Sequence, residues 1–447
     1  MTVEGGQGPD RDSDPGESPP EILVFNPGSS SLKFGVYAMP ASGGGRIART
    51  GVRRLASGVI QPIGGRGAEA PTVRIERPGR EAFVSPTLAG TPVEAASRVV
   101  LHLDELGSGD VGRIRAVGCR VVHGGPSLTA PVIVTPEVLS TLRRVEPLAP
   151  LHNPIDVAVL QAVARSLPGI PAVAVFDTAF HATLPEVART YALPFEISER
   201  HGLRRYGFHG ISHAYVSGQL LERLGERARG ETSRAEGTRL VTCHLGSGAS
   251  LCALRDGVSV DTSMGMTPLE GLVMGTRAGD IDAGLVLFLI RTEGLSADHV
   301  HELLNSKSGL LGLSGVSADL RTIERAAAEG DRRAELALAV FAYRVRKYLG
   351  AYAAALGGLD AVAFTGGIGE HSASMRARIC QGLGFLGLEL DAAQNAAAVG
   401  DREAVISTAG SPVEVWVIPT DEELEIAAAT ADALKLERAT ASARMGP

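Results

Sequence analysis

Residues 22–34 read ILVFNPGSSSLKF. Ile22 to Phe25 form a short apolar run of the kind that makes a buried strand. Asn26, Pro27 and Gly28 are turn formers. Ser29, Ser30 and Ser31 add hydroxyls, and Leu32-Lys33-Phe34 resumes the apolar pattern around one cation. The stretch therefore predicts a strand, a small-residue turn and a return strand. Without bulky side chains, the turn's backbone N–H groups can approach a phosphate closely, and Lys33 supplies a mobile charge. A plain hairpin has the same composition, and neither GxxxxGK[ST] nor a strand-following GxGxxG is present.

The pattern recurs half a chain later, where RLVTCHL (239–245) runs into His244-Leu245-Gly246-Ser247-Gly248-Ala249-Ser250-Leu251. A third small-residue turn, Thr365 to Glu370, follows the apolar run AVAFT (361–365). Repetition of this kind predicts two related halves facing one another across a cleft. Further strands are expected at AVGCRVVH (116–123), AVAVF (172–176) and EVWVI (414–418), with helices between them, so the class is α/β. The longest helix is expected from about Ala334 to Leu356, with Leu336, Val340, Tyr343 and Lys347 at helical spacing. Met39 to Leu88 reads as strands and loops elaborating the first half, and Gly225 to Gly237 as a charged loop.

A chain of 447 residues exceeds one ordinary core, so two domains are expected. The formal charge of −7 supplies no basic footprint for nucleic acid, though a few local arginines suffice for a small anion. Cys119, Cys243, Cys252 and Cys380 lack metal-ligand spacing and read as buried thiols. No run approaches the roughly 18 apolar residues of a membrane span. Residues 1–20 are acidic, rich in Gly and Pro, and read as a disordered tail rather than a signal peptide. A cytoplasmic protein is expected.

Charged and polar residues in unusual surroundings mark the candidate chemistry. Arg120 lies inside an apolar strand, where a charge requires a partner. Arg277 lies in the Gly-rich loop MGTRAGDID. Either guanidinium could grip a carboxylate or phosphate, while Asp280 and Asp282 offer Arg277 an internal salt bridge instead. Histidines cluster near small residues: His123, His152, His181, His209 and His213. The last two have the spacing of helical zinc ligands but lack the accompanying glutamate of HExxH. Otherwise a histidine is structural, or a donor to charge on a transferring phosphoryl group. Asp177 ends the AVAVF strand. WVIPTDEE (416–423) places Asp421, Glu422 and Glu423 at a helix start, suited to the helix dipole or to a hard cation.

Together the segments resemble the acetate kinase family, part of the ATPase superfamily of actin, sugar kinases and heat-shock chaperones. The motifs are FNPGSSSLKF, VVHGG, LAPLHNP, VFDTAFH, YGFHGISH, TCHLGSG, TSMGMTPLEGLVMGTR, LLGLSGVSADLR, FTGGIGE and IPTDEE, in family order from about Glu21 to Leu434. The resemblance implies two ribonuclease-H-like (actin-like ATPase) domains around a nucleotide cleft. The first would span 21–180 plus 421–440, on the acyl and phosphate side. The second would span 181–420, on the nucleotide side, with hinges near Phe180 and Thr420. It also implies the reaction ATP + acetate ⇌ ADP + acetyl phosphate, Mg2+ (or Mn2+ in its place) and a homodimer.

By the same resemblance, Asn26 and Glu422 would serve the metal, and Ser29, Ser31 and Lys33 would lie near the phosphates. Arg120 and Arg277 would hold the carboxylate and the phosphoryl in flight, His209 its equatorial oxygens, and Asp177 would orient Arg120 or the nucleophile. Val122, Leu151 and Pro268 would form the methyl pocket. His244, Leu245, Gly246, Ser247 and Gly248 would meet the nucleotide phosphates. Asp319, Leu320 and Arg321 would meet the adenosine, and Gly367, Ile368, Gly369, Glu370 and His371 the adenine side of the cleft.

Acetate is already an anion and needs no general base, so charge neutralisation and in-line positioning are the expected content of catalysis. Direct transfer is expected rather than a phosphoryl-Glu422 intermediate, because that carboxylate serves the metal. The chain departs from the family pattern at Ser247, Asp421 and His371, each where Asn is usual, and at Cys119, where His is usual. The glycine turn FTGGIGE favours ATP over pyrophosphate as donor. A propionate or butyrate kinase differs by only about 1–3 kcal/mol of pocket binding per methylene. A non-catalytic nucleotide clamp or an interaction protein on the same fold is the rival from another class.

Overall fold

The computed structural model describes residues 19–28, 30–39, 51–63, 70–102, 113–228 and 237–444. The acidic segment 1–18, Ser29 and the charged stretch 229–236 lie outside them. Gly225, read from sequence as the start of a loop, instead lies within the helix Gly210–Ala228.

Strand β1 (Glu21–Pro27) and β2 (Leu32–Ala38) form the expected hairpin, with Asn26 opposite Lys33. They join β3 (Arg53–Gln61), β4 (Thr72–Glu76), β5 (Phe83–Pro86), β6 (Ile114–Val121), β7 (Val132–Ile133) and β8 (Ala172–Phe176). The sheet order is β5-β4-β3-β2-β1-β6-β8-β7. A second sheet holds β9 (Arg239–Leu245), β10 (Ala249–Arg255), β11 (Val258–Thr262), β12 (Ala361–Thr365), β13 (Ala404–Val405) and β14 (Glu414–Val417). Its order is β11-β10-β9-β12-β14-β13.

One connectivity generates both sheets. An antiparallel meander, β3-β2-β1 or β11-β10-β9, continues into two parallel strands, β6 and β8 or β12 and β14. Each ends in a two-residue antiparallel edge strand. Only β4 and β5, from the segment expected to elaborate the first half, break the correspondence. The third small-residue turn differs from the other two: Gly366–His371 opens a helix rather than a return strand. The strands β8 and β12 are buried at every residue, because helical crossovers cover parallel strands on both faces. That is why AVAVF and AVAFT carry no polar alternation.

The long helix Arg332–Leu356 is capped by Asp331, whose side chain accepts from the Arg333 and Ala334 N–H groups, and it ends at left-handed Gly357. Leu338, Phe341, Val345, Leu349, Tyr352 and Leu356 face the second core. Of the residues spaced in sequence, Leu336 and Tyr343 lie on the opposite side, 55% and 62% exposed, whereas Val340 packs partly against the core. The final helix, Glu422–Arg444, returns to the first sheet, with Ile426, Ala427 and Ala431 packed on Ile22, Val24, Ala116 and Val173. It lies so close to β6 that a Cβ on Gly118 would stand 2.3 Å from Thr430 Oγ1. Helix Gly210–Ala228 joins the two sheets, packing Ile211 with the first and Val216 and Leu220 with the second.

Candidate active site

The carboxyl ends of β1, β6, β8, β9, β12 and β14 deliver the candidate residues, where open α/β sheets place their ligands. Arg120 projects from the end of β6 with its partner supplied by β8. Its Nε and Nη2 donate to the Asp177 carboxylate, the closest contact being 2.6 Å, and Nη1 donates to the Pro27 carbonyl at 3.0 Å. The opening hairpin is thus tied to the arginine. Burial pushes the Asp177 carboxyl up and Arg120 pulls it down; at this contact distance the pair stays ionised.

Asn26 donates through Nδ2 to Glu422 and to Glu423, both at 2.8 Å. Burial raises the Glu422 carboxyl, but Arg120, His244, Lys33 and Asn26 outweigh it and hold it below the ordinary value. Burial holds Glu423 above that value, against Lys33. Glu423 in turn raises the Lys33 ammonium. Asp421, where the family pattern has Asn, pairs with Arg54 of β3 and accepts from the Leu424 N–H. The elaborated strands therefore brace the acidic segment. Among the described residues no three His, Cys, Asp or Glu side chains form a metal cage. An amide and paired carboxylates beside a phosphate-type turn are a donor set that fits Mg2+, which keeps waters and substrate phosphates as ligands.

Arg277 meets no carboxylate among the described residues. Its Nη1 donates to the Pro268 carbonyl at 3.1 Å and contacts Met274 sulfur. Asp280 bonds instead to the Gly271 N–H and the Tyr348 hydroxyl, and Asp282 caps the next helix. The internal salt bridge open to Arg277 on sequence grounds does not form. Burial and the Arg120 charge both lower its pKa. Two guanidiniums with one buried carboxylate partner between them leave a place for an anion.

His209 reaches this place from the start of helix Gly210–Ala228. Its φ of 56° is left-handed, a conformation that disfavours side chains and concentrates at functional positions. Gly210 admits it: a Cβ there would lie 2.0 Å from the Asp177 carbonyl. His209 Nδ1 lies 2.9 Å from Ser250 Oγ, and the ring stacks on His244 at 4.3 Å. A Cβ on Gly248 would stand 3.1 Å from His209 Nε2 and 3.9 Å from Arg277 Nη1. The second glycine turn, the histidine and the unpaired arginine are therefore one cluster. Burial, then His244, His213 and the two arginines, keep His209 neutral, far below its ordinary pKa.

The remaining candidates divide. Gly246 lies near the Gly367 N–H, and Gly275 packs against both Ser247 and Ala318, which brings the 319–321 segment beside the turn. Leu245 and Leu320 turn their side chains into the core, leaving only backbone for a ligand. Asp319 caps a helix and pairs with Arg321 at 2.6 Å. The Glu370 carboxylate accepts from Thr365, Gly366 and Thr420, so it braces the turn from within. Val122 is buried with Ala149 and Phe208, whereas Leu151 is half exposed and stands at the rim.

Sequence reasoning left several residues without a role. His152 is drawn to the cluster, its pKa lowered to about 4 by burial, Arg277 and Arg120. Ser250, Ser212 and Arg376 were passed over, and Glu423 was singled out only with Asp421 and Glu422 as suited to the helix dipole or to a hard cation. Arg376 is fully buried and donates to the carbonyls of Gly369, Glu370, Asn395 and Ala398. Its helix, Ala373–Cys380, also carries Arg378, so no signal in the sequence sets Arg376 apart.

The pattern of the Acetokinase family matches residues 21–428. The chain belongs to that family. An acetate kinase of Phocaeicola vulgatus is 46% identical over 416 residues, covering 92% of this chain and 98% of that protein. One from Bacteroides thetaiotaomicron is 46% identical over 421 residues, covering 93% and 100%. The crystal structure of Porphyromonas gingivalis acetate kinase aligns with a TM-score of 0.80 at 43% identity, covering 93% of this chain and 100% of that one. A propionate kinase from Francisella tularensis aligns with a TM-score of 0.80 at 36% identity, covering 92% and 99%. The acetokinase fold thus accounts for the duplicated sheets and the cleft between their carboxyl ends.

Proposed function

We propose that the protein is an acetate kinase, catalysing ATP + acetate ⇌ ADP + acetyl phosphate by direct in-line transfer. The observation that carries this reading is Arg277, an arginine without a carboxylate partner among the described residues, clustered with a neutral histidine and a glycine turn. An acetate oxygen attacks the γ-phosphorus as the bond to the ADP oxygen breaks. Repulsion between the two anions is the obstacle. Arg120 and Arg277 offset it, and His209 donates from Nε2 to an equatorial oxygen. Asp177 fixes Arg120, and the buried Val122 side with Pro268 receives the methyl group.

Asn26 and Glu422, with Glu423 beside them, would hold Mg2+ (or Mn2+), which when bound neutralises phosphate charge. Ser31, Lys33 and the 246–248 turn would meet the nucleotide phosphates, and the 319–321 and 367–371 segments its nucleoside. Ser29 lies outside the described residues and keeps only its expected place beside the phosphates. A homodimer in the cytoplasm is the accompanying expectation; no helix of the described residues is long and apolar enough to cross a membrane.

A hydroxamate assay with ATP, Mg2+ and acetate, propionate or butyrate tests the activity. Acyl hydroxamate with acetate is expected, and none with any of the three would sink the kinase reading. The likeness to a propionate kinase favours propionate as the second reading, and its kcat/KM relative to acetate decides between them.

A further inference from the structure

Behind His209 runs a closed line of hydrogen-bonding groups. Its Nδ1 lies 2.9 Å from Ser250 Oγ, which lies 2.8 Å from His213 Nε2. His213 Nδ1 in turn lies 2.7 Å from Thr242 Oγ1. Ser250, His213 and Thr242 have no exposed surface. With both imidazoles neutral, the four groups carry four protons and make three hydrogen bonds, so one proton is left at an end. Running one way, the spare proton is His209 Nε2–H, facing the cleft. Running the other way, it is the Thr242 hydroxyl proton.

Those ends are not equivalent. Among the described residues, His213 is the one side-chain partner of the Thr242 hydroxyl. If Thr242 accepted from His213, its own proton would be buried without an acceptor, which native interiors avoid. If Thr242 donates, only a lone pair goes unused, a lesser defect. We propose that Thr242 orients the whole line: Thr242 donates to His213, His213 to Ser250, and Ser250 to His209. His209 is thereby locked as the tautomer whose Nε2–H points at the cleft. Thr242, His213 and Ser250 are positioning residues, acting through His209. The inference rests on the reading of His209 as the donor to the transferring phosphoryl. Burial and neighbouring charges, holding His209 and His213 neutral, are consistent with it.

The tautomer is readable without turnover. Long-range 1H–15N correlation of protein labelled in histidine nitrogen, with the His209 signals identified by their loss in His209→Asn, should show a protonated Nε2 and a bare Nδ1. Thr242→Val keeps the shape and removes the donor. It should give mixed tautomers at His209 and lower kcat roughly 10- to 100-fold, with KM for ATP and acetate nearly unchanged. Thr242→Ser should restore both. A protonated Nδ1 on His209 in the unaltered protein would overturn the proposal, and so would a single Nε2–H tautomer persisting in Thr242→Val. If Thr242→Val does not fold, the spectrum of the unaltered protein still decides the direction. Absence of acyl phosphate formation would instead remove the functional reading, leaving the tautomer result to stand alone.

Discussion

Arg120 and Arg277 bring the same charge to the cleft but are held differently, and that difference is measurable. Arg120 is paired with a carboxylate that is 2% exposed, so Arg120→Ala leaves a buried charge without its partner. Removing one partner of such a pair costs about 3–5 kcal/mol. Arg277 has backbone and sulfur contacts only, and its neighbour Arg120 repels it. Both alanine variants should lose at least about 100-fold in kcat while binding a non-hydrolysable ATP analogue nearly as before. Thermal unfolding should separate them: the midpoint falls for Arg120→Ala and stays or rises for Arg277→Ala. Equal destabilisation by the two would show that Arg277 has a structural partner after all. Both arginines were legible in the sequence as charges out of place. Which of them lacked a partner was not, because Asp280 and Asp282 sit close to Arg277 in the chain yet spend their bonds on Gly271, Tyr348 and a helix cap.

At the scale of elements, strands were easier to place than helix faces. β1, β8, β9 and β12 match their expected runs within a residue or two because buried strands are short, apolar and bounded by turn residues. Helix Arg332–Leu356 is apolar on more than one side, so spacing alone did not say which side is buried. Phe341→Ala should destabilise by about 3–5 kcal/mol through the cavity it leaves. Tyr343→Ala, two residues on, should change stability by less than about 0.5 kcal/mol. Urea unfolding of the two variants checks the orientation, and a larger loss for Tyr343 would invert it. A second test concerns His181, fully enclosed between Ser259 and the Phe208 carbonyl. Burial lowers its pKa to about 4, whereas the unfolded chain binds that proton near the ordinary value of about 6.5. Between those values the unfolded state holds more protons, so this histidine's contribution is present above about pH 6.5 and is lost as the pH falls toward 4. His181→Asn lacks the difference, so its stability deficit relative to the unaltered protein should shrink over that interval. A gap that stays constant with pH would exclude the linkage.

Among the described residues, one helix exposes apolar side chains that a solitary chain does not explain. Helix Ala283–Arg291 reads AGLVLFLIR, and its Leu287 and Phe288 are both 50% exposed. Contiguous exposed apolar surface marks association, and a homodimer, expected from the family resemblance, would cover it. Leu287→Glu with Phe288→Glu should shift the molar mass measured by light scattering from two chains to one. A dimer unaffected by the pair would place the contact elsewhere. The sequence by itself determined the α/β class, the duplicated strand-turn-strand units and the family, because these depend on local pattern and on motif order. Tertiary structure alone decided which carboxylates pair with which arginine, that Glu423 shares Asn26 with Glu422, and that Ser250 and Thr242 stand behind His209. Those contacts join residues from 29 to 397 positions apart, and no local pattern records a distance across a closed fold. The hairpin at 22–34 shows both sides. Its turn was plain from composition, but its tie to Arg120 through Pro27 and to Glu422 through Asn26 exists only because the last helix returns to the first sheet.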